Sequence, residues 1–196
     1  MPVDCTGKLT DDILFDCAQA PVGGIEQNVI LINWDDVLSI TPDANNRVLI
    51  TDITLKPSKT GYLFTGVKQS SGKAWELVKK ENAPDKFKHT FSAAIFNPSA
   101  ANKQQADSLS KGSKYLAVIE QVWKGADNED AFEVLGADSG LELMTMTNNS
   151  KENDNMILLS LASADGFEER TMPKTFLDGT YAATKTAFTN KFAATP

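Results

Sequence analysis

The stretch "AFEVLGADSGLELMTMT", Ala131 to Thr147, sets an aspartate and a serine between two glycines, Gly136 and Gly140. Residues of these types could build a nucleophile elbow, an anion loop or a cation loop. A nucleophile elbow needs Gly-x-Ser-x-Gly, with the serine on a strained strand-to-helix turn. Here Asp138 holds the central place, Ser139 lies one position off, and the residues after Gly140 read as a strand. His89, the one histidine of the chain, would have to be the base, and it sits in the middle of a strand pattern. A phosphate loop would need several glycines, a lysine and a following helix. Nearby, Asp127, Asn128, Glu129 and Asp130 lack the alternating ligand spacing of a calcium loop, so a solvated hairpin turn accounts for them. The reading that remains for Gly136 and Gly140 is a bulge or a positive φ between two strands.

Other candidates reduce in the same way. "FEER", Phe167 to Arg170, pairs two carboxylates, but neighbours on a strand point to opposite faces and cannot share a substrate. His89 reads as a strand residue with a satisfied hydrogen bond. Trp34, Trp75 and Trp123 read as core or interface anchors. Two cysteines, Cys5 and Cys17, and one histidine fall short of the four ligands of a structural zinc site, and the cysteines are expected as reduced thiols. The residues thus name no catalytic, metal or cofactor-binding position, no cofactor is expected, and the expectation is a protein that is not an enzyme.

The elements around these residues are mostly strands. "NVILINW" (28–34), "RVLITDITL" (47–55) and "GYLFTGV" (61–67) are short, β-branched or aromatic, and bounded by turn formers. "KFKHTFSAAIF" (86–96) puts Phe87, His89, Phe91, Ala93 and Ile95 on one face at period 2. "KYLAVIEQVWK" (114–124) alternates likewise, turns at "GADNED" and returns as "AFEVLG"; "LELMTMT" and "NMILLSLAS" come next. One helix is expected over 98–112, capped by Ser99 and stopped by Gly112. A second is expected in "DGTYAATKTAFTNKF", with Tyr181, Thr184, Phe188 and Phe192 on one side. The expected fold is therefore α+β and β-rich: an antiparallel β-sandwich or partly closed barrel with one helix between strands and a C-terminal helix. It forms a single domain over 1–196, with 1–24 as an N-terminal arm and 68–88 as a projecting loop.

Bulk properties narrow the partners. A chain of 196 residues with 41% hydrophobic and 23% charged residues has the composition of an ordinary folded domain. No apolar run reaches the roughly 18 residues of a membrane span, and "MPVDCTGKLTDD" lacks a signal peptide's pattern, so synthesis in the cytosol is expected. A net charge of −7 disfavours holding nucleic acid, though it would let DNA slide past without sticking.

The order of segments resembles the tail tube proteins of tailed bacteriophages, in the form encoded by phages and prophages of Bacteroidetes. The resemblance lies in "DCAQAPVGGIEQNVILINWDDV" (16–37), "HTFSAAIF" (89–96), "AVIEQVWKGADNEDAFEVLGADSGLEL" (117–143) and "LLSLASADGFEERTMPKTF" (158–176). It implies a virion structural protein assembled in the bacterial cytoplasm. Copies would join, six to a ring, into rings that stack as a hollow conduit, with DNA passing through the lumen unbound and other tail proteins as partners. A ring or connector protein of a phage tail, or the tube of an injection system, is the alternative within that class. A monomeric β-barrel binding a small apolar ligand is the alternative outside it, suggested by Phe87, Phe91, Phe96 and Trp123.

Overall fold

The computed structural model describes residues 8, 9, 11–67 and 69–193. Cys5, the arm's residues 1–7 and 10, and Lys68 lie outside the described residues. Among the described residues, eleven strands form two sheets, with two α-helices. In chain order the strands are β1 Ile25–Asn33, β2 Val37–Pro42, β3 Leu49–Leu55, β4 Tyr62–Thr65, β5 Gly72–Val78 and β6 Lys86–Ile95. After α1 Ala100–Leu109 come β7 Tyr115–Gln121, β8 Phe132–Leu135, β9 Glu142–Asn148, β10 Ile157–Ala162 and β11 Lys174–Phe176, and then α2 Tyr181–Thr189.

The larger sheet runs β2-β3-β11-β8-β7-β1-β4 and the smaller β5-β6-β10-β9. All pairs are antiparallel except β11 with β3, which is parallel. The sheets do not close into a barrel; the fold is a sandwich, with α2 packed on the outer face of the larger sheet.

Why the larger sheet is a middle layer is written in its central strands. Val29-Ile30-Leu31-Ile32 in β1 and Leu116-Ala117-Val118-Ile119 in β7 are unbroken apolar runs, as a strand buried on both faces requires. Val29, Leu31, Tyr115, Ala117, Ile119 and Leu135 meet Phe91, Ala93, Leu159 and Leu161 of the smaller sheet. On the reverse face, Ile30, Ile32, Leu116, Val118, Phe132 and Phe176 meet Phe188 and Phe192 of the C-terminal segment. Phe132 lies 5.1 Å from Phe188 and stacks on Tyr181 at 5.9 Å between ring centroids. Burying each large apolar side chain contributes about 1.5–3 kcal/mol, so these two seams supply most of what holds the layers together.

The first helix has the expected cap, Ser99, and the second is capped by Thr180. Ser99 Oγ accepts the Asn102 N–H (3.3 Å), and Thr180 Oγ1 accepts the Ala183 N–H (3.2 Å). The chain crosses to the smaller sheet after β4, back through α1 after β6, across again at the Gly136–Gly140 turn, and home after β10. The stretch 68–88, expected to project as a loop, instead carries β5, paired with β6 from Gly72↔Ser92 to Val78↔Lys86. Its apolar residues Trp75 and Leu77 alternate with charge because β5 is an edge strand. The connection 79–85 that follows joins β5 to β6.

Candidate functional site

The turn Gly136–Gly140 and the segment Glu168–Lys174, some thirty residues apart in sequence, close on each other. Gly136 (φ 80°) and Gly140 (φ 78°) are both left-handed, and the Gly140 N–H donates to the Gly136 carbonyl at 3.0 Å. This is the tight turn expected from the two glycines. A Cβ on Gly136 would lie 2.9 Å from Leu141 Cγ and 3.1 Å from the Tyr115 carbonyl oxygen, so space as well as φ requires glycine there.

The turn presents two amides to one carboxylate. Glu169 Oε2 accepts the Asp138 N–H at 2.6 Å and Oε1 accepts the Ser139 N–H at 3.0 Å. Asp138 answers: its carboxylate accepts the Arg170 N–H (3.1 Å), Arg170 Nη2 (3.1 Å) and Lys174 Nζ (2.8 Å). The Glu169 backbone is also sutured to β6, exchanging two 2.8 Å hydrogen bonds with Phe87. That bridge is the only β pairing of the "FEER" segment among the described residues, which is otherwise irregular rather than the expected strand.

His89 completes the clasp from β6. It is 1% exposed; Nε2–H donates to the Thr171 carbonyl (2.9 Å), and Nδ1 accepts the Gly136 N–H (3.3 Å). The expectation of a satisfied strand histidine matches this geometry. Burial pushes its pKa down to about 4, so the ring is neutral, with one nitrogen donating and the other accepting. Burial pushes Glu169 up to about 7, with the nearby Asp138 charge adding to the effect. Burial works against the Asp138 charge too, but Lys174 and Arg170 outweigh it and hold that carboxyl below its ordinary value. Glu168 turns the other way. Lys80 Nζ, 2.6 Å from its Oε1, holds it down to about 2.

A carboxyl near 7 beside a histidine has the pKa of a general acid or base. The surroundings deny it a substrate. Glu169 is 1% exposed and both of its oxygens are taken by backbone amides. Glu168 and Glu169 face different partners and share no space, as their adjacency suggested. The region between the sheets is filled by Phe91, Leu135, Leu141, Leu159 and Leu161, each at most 3% exposed. That packing leaves no room for the interior ligand of a binding barrel. A concavity beside Ile25, Gln27 and Gly66 has about 10 Å³, room for about one water. No group of His, Cys, Asp or Glu able to hold a metal occurs among the described residues.

A second charged cluster went unread in the sequence. Glu120, 3% exposed on β7, accepts from Lys124 Nζ (2.7 Å), Tyr181 Oη (3.1 Å) and Lys185 Nζ. Burial works against the charge, and the two lysines outweigh it, so the Glu120 pKa is lowered. It pins α2 to the sheet. The Glu120–Lys124 spacing was visible in "IEQVWK"; the helical partners, some sixty residues on, were not.

Apolar chemistry that remains exposed lies at the periphery. Leu9, Ile13, Leu14 and Phe15 are 81–86% exposed in a segment without strand or helix, ahead of a 3₁₀ turn at Cys17–Gln19. The segment is held to the body where Trp123 Nε1 donates to the Gln19 carbonyl (3.1 Å) and the Val122 N–H donates to the Gly24 carbonyl (3.2 Å). Trp123 is thus an anchor for this arm, while Trp34 packs against the α2-side core. Cys17 is a free, exposed thiol. Comparison with protein-family models, with curated proteins and with solved structures found no match.

Proposed function

We propose that this chain is a structural subunit of the tail tube kind: copies join edge to edge into rings, and the rings stack into a conduit for DNA. The observation that supports this most is where the unsatisfied surface lies. The interior is packed, whereas both sheets end in strands (β2, β4, β5 and β9) that, among the described residues, pair on one side only and carry exposed Leu38, Tyr62, Leu63, Trp75, Leu77 and Met144. Strands with free backbone groups and apolar side chains invite pairing with another chain, and a closed ring uses such edges up. The acidic balance, −7 over 196 residues, suits a wall past which DNA moves without binding. The resemblance in strand and turn order points the same way, and it alone supplies six copies to a ring.

The test is size-exclusion chromatography with light scattering over a concentration series, with negative-stain images of each peak. Rings or stacked tubes are expected. Discrete rings that never stack would favour a connector within the same class. A strict monomer at every concentration, with and without the other tail components, would overturn the proposal.

A further inference from the structure

We propose that Asp11–Asp16 of one copy adds as an antiparallel strand to the free edge of β5 in a second copy; the inference rests on the self-assembly reading above and names one of its contacts. β5 is the terminal strand of the smaller sheet, so one side of its backbone is unpaired. Along it, Lys73, Trp75 and Leu77 project to one face, opposite Phe91, His89 and Phe87 of β6, and Lys79 comes next at the same spacing. Lys73 is still tied to the larger sheet through Glu133 and Gln121. Trp75 and Leu77, further along, are 45% and 46% exposed. Trp75 leans edge-on against Phe87 at 5.7 Å and leaves the rest of its ring open. The strip is therefore apolar in the middle and basic at its ends.

The arm carries the pattern that complements the Trp75–Lys79 part of this strip. In "DDILFD" three apolar residues stand between aspartates. In an extended chain Asp11, Ile13 and Phe15 share a face. Antiparallel addition sets Phe15 beside Trp75, Ile13 beside Leu77 and Asp11 beside Lys79. The Lys79 side chain is 79% exposed and, among the described residues, held only by Asp85 at 2.7 Å, a surface pair that exchanges readily. Ile13 and Phe15, 86% and 81% exposed, touch almost nothing of their own copy, so the body that covers them is another one. Backbone pairing at the edge would supply affinity and the alternate side chains register, as in β-strand addition generally. Because arm and edge are different surfaces of the same chain, the contact is head-to-tail and propagates.

The experiment uses the full-length chain. With Cys5→Ser and Cys17→Ser as background, Ile13→Cys combined with Leu77→Cys should give, on mild oxidation, a ladder of cross-linked multimers. Ile13→Cys with Glu76→Cys, one residue out of register, or with Leu38→Cys on the β2 edge should give little. An intramolecular link in a monomer, or equal linking to Leu38→Cys, would overturn the proposal. Ile13→Asp with Phe15→Asp, and separately Leu77→Asp, should each weaken self-association at least tenfold while leaving the melting temperature within a few degrees. Mixing the two variants should restore one intact contact per pair and yield dimers. If the wild type assembles and both variants assemble equally well, this contact is wrong and the assembly reading stands. If the wild type never associates, the assembly reading fails and the contact falls with it.

Discussion

The side chain of Glu169 receives the amide of Asp138, while the side chain of Asp138 receives the amide of Arg170, the residue next to Glu169. Each carboxylate thus accepts a backbone amide from the other's loop. Beyond the short β8–β11 pairing, the two loops are fixed by this exchange of side-chain to main-chain hydrogen bonds.

Removing one side of this exchange should be costly. Glu169→Ala leaves two amides of the turn without an acceptor, at about 3 kcal/mol. For a chain of this size that lowers Tm by about 6–12 °C. Glu169→Gln, which keeps one acceptor oxygen, should fall between. Thermal melts followed by circular dichroism decide it, and a change of less than 2 °C for the alanine variant would show the clasp to be idle.

Glu169 and His89 titrate in opposite senses over one pH window. Glu169 is raised on folding from an ordinary 4.5 to about 7, so the folded state holds more protons and stability from this group falls as pH rises between those values. His89 is lowered from an ordinary 6.5 to about 4, so the unfolded state holds more protons there and stability rises with pH. In the wild type the two slopes largely cancel. Glu169→Gln should unmask a stability that rises from pH 4 to 6.5. His89→Gln should unmask one that falls from pH 4.5 to 7. Urea midpoints measured at half-unit pH steps read this directly, and two variants with the same slope would refute the account.

Below that window the balance changes. Glu168 is held down to about 2 by Lys80, so the stability it contributes is present above its ordinary 4.5 and is lost as pH falls toward 2. Lys80→Met should therefore lower stability most at pH 7, where Glu168 is left charged without Lys80, and least near pH 2. Urea midpoints at the two ends check it, and an equal loss at both would sink this reading.

Gly136 and Gly166 offer a matched comparison. Both have a left-handed φ, 80° and 86°, but a Cβ at Gly136 meets Leu141 Cγ at 2.9 Å while one at Gly166 meets nothing within 4 Å. Gly166→Ala should cost about 1 kcal/mol, the conformational penalty alone. Gly136→Ala should cost about 2–5 kcal/mol once overlap is added. Equal costs would mean that the turn relaxes.

Pinning of α2 can be tested separately. Glu120→Ala strips Tyr181 Oη, Lys124 and Lys185 of a shared acceptor, but both lysines retain partial access to water. A loss of about 1–3 kcal/mol is expected. Faster hydrogen exchange should be confined to α2 and the neighbouring end of β7.

Legibility in the sequence followed burial. Strands with both faces covered, such as "VILI" and "LAVI", announce themselves through unbroken apolar runs. The turn at Gly136–Gly140 announces itself through residue types that tolerate φ > 0. Edge strands were legible only in part: β4 and β9 stand out in "GYLFTGV" and "LELMTMT", whereas β2 and β5 do not. In β5 the apolar Trp75 and Leu77 alternate with charge, and half of each remains wet, so the stretch reads as a solvated loop. β2 ends at Pro42, and β11 is three residues long after Pro173, each too short or too broken to carry a period. The clasp was invisible for another reason. Asp138 and Glu169 look like solvated acids wherever they are read locally, and only the fold brings Glu169 to the Asp138 and Ser139 amides and Asp138 to the Arg170 amide.

β11 has a consequence for how the molecule is made. Residues 174–176 lie in the middle of the larger sheet, between β3 and β8, and pair with strands laid down far earlier in the chain. Until the ribosome has released them, the sheet exists as two separate ribbons, β2-β3 and β8-β7-β1-β4, each with an extra raw margin. Chains stalled or cut before β11 are therefore the sticky species, because the two ribbons meet only through it.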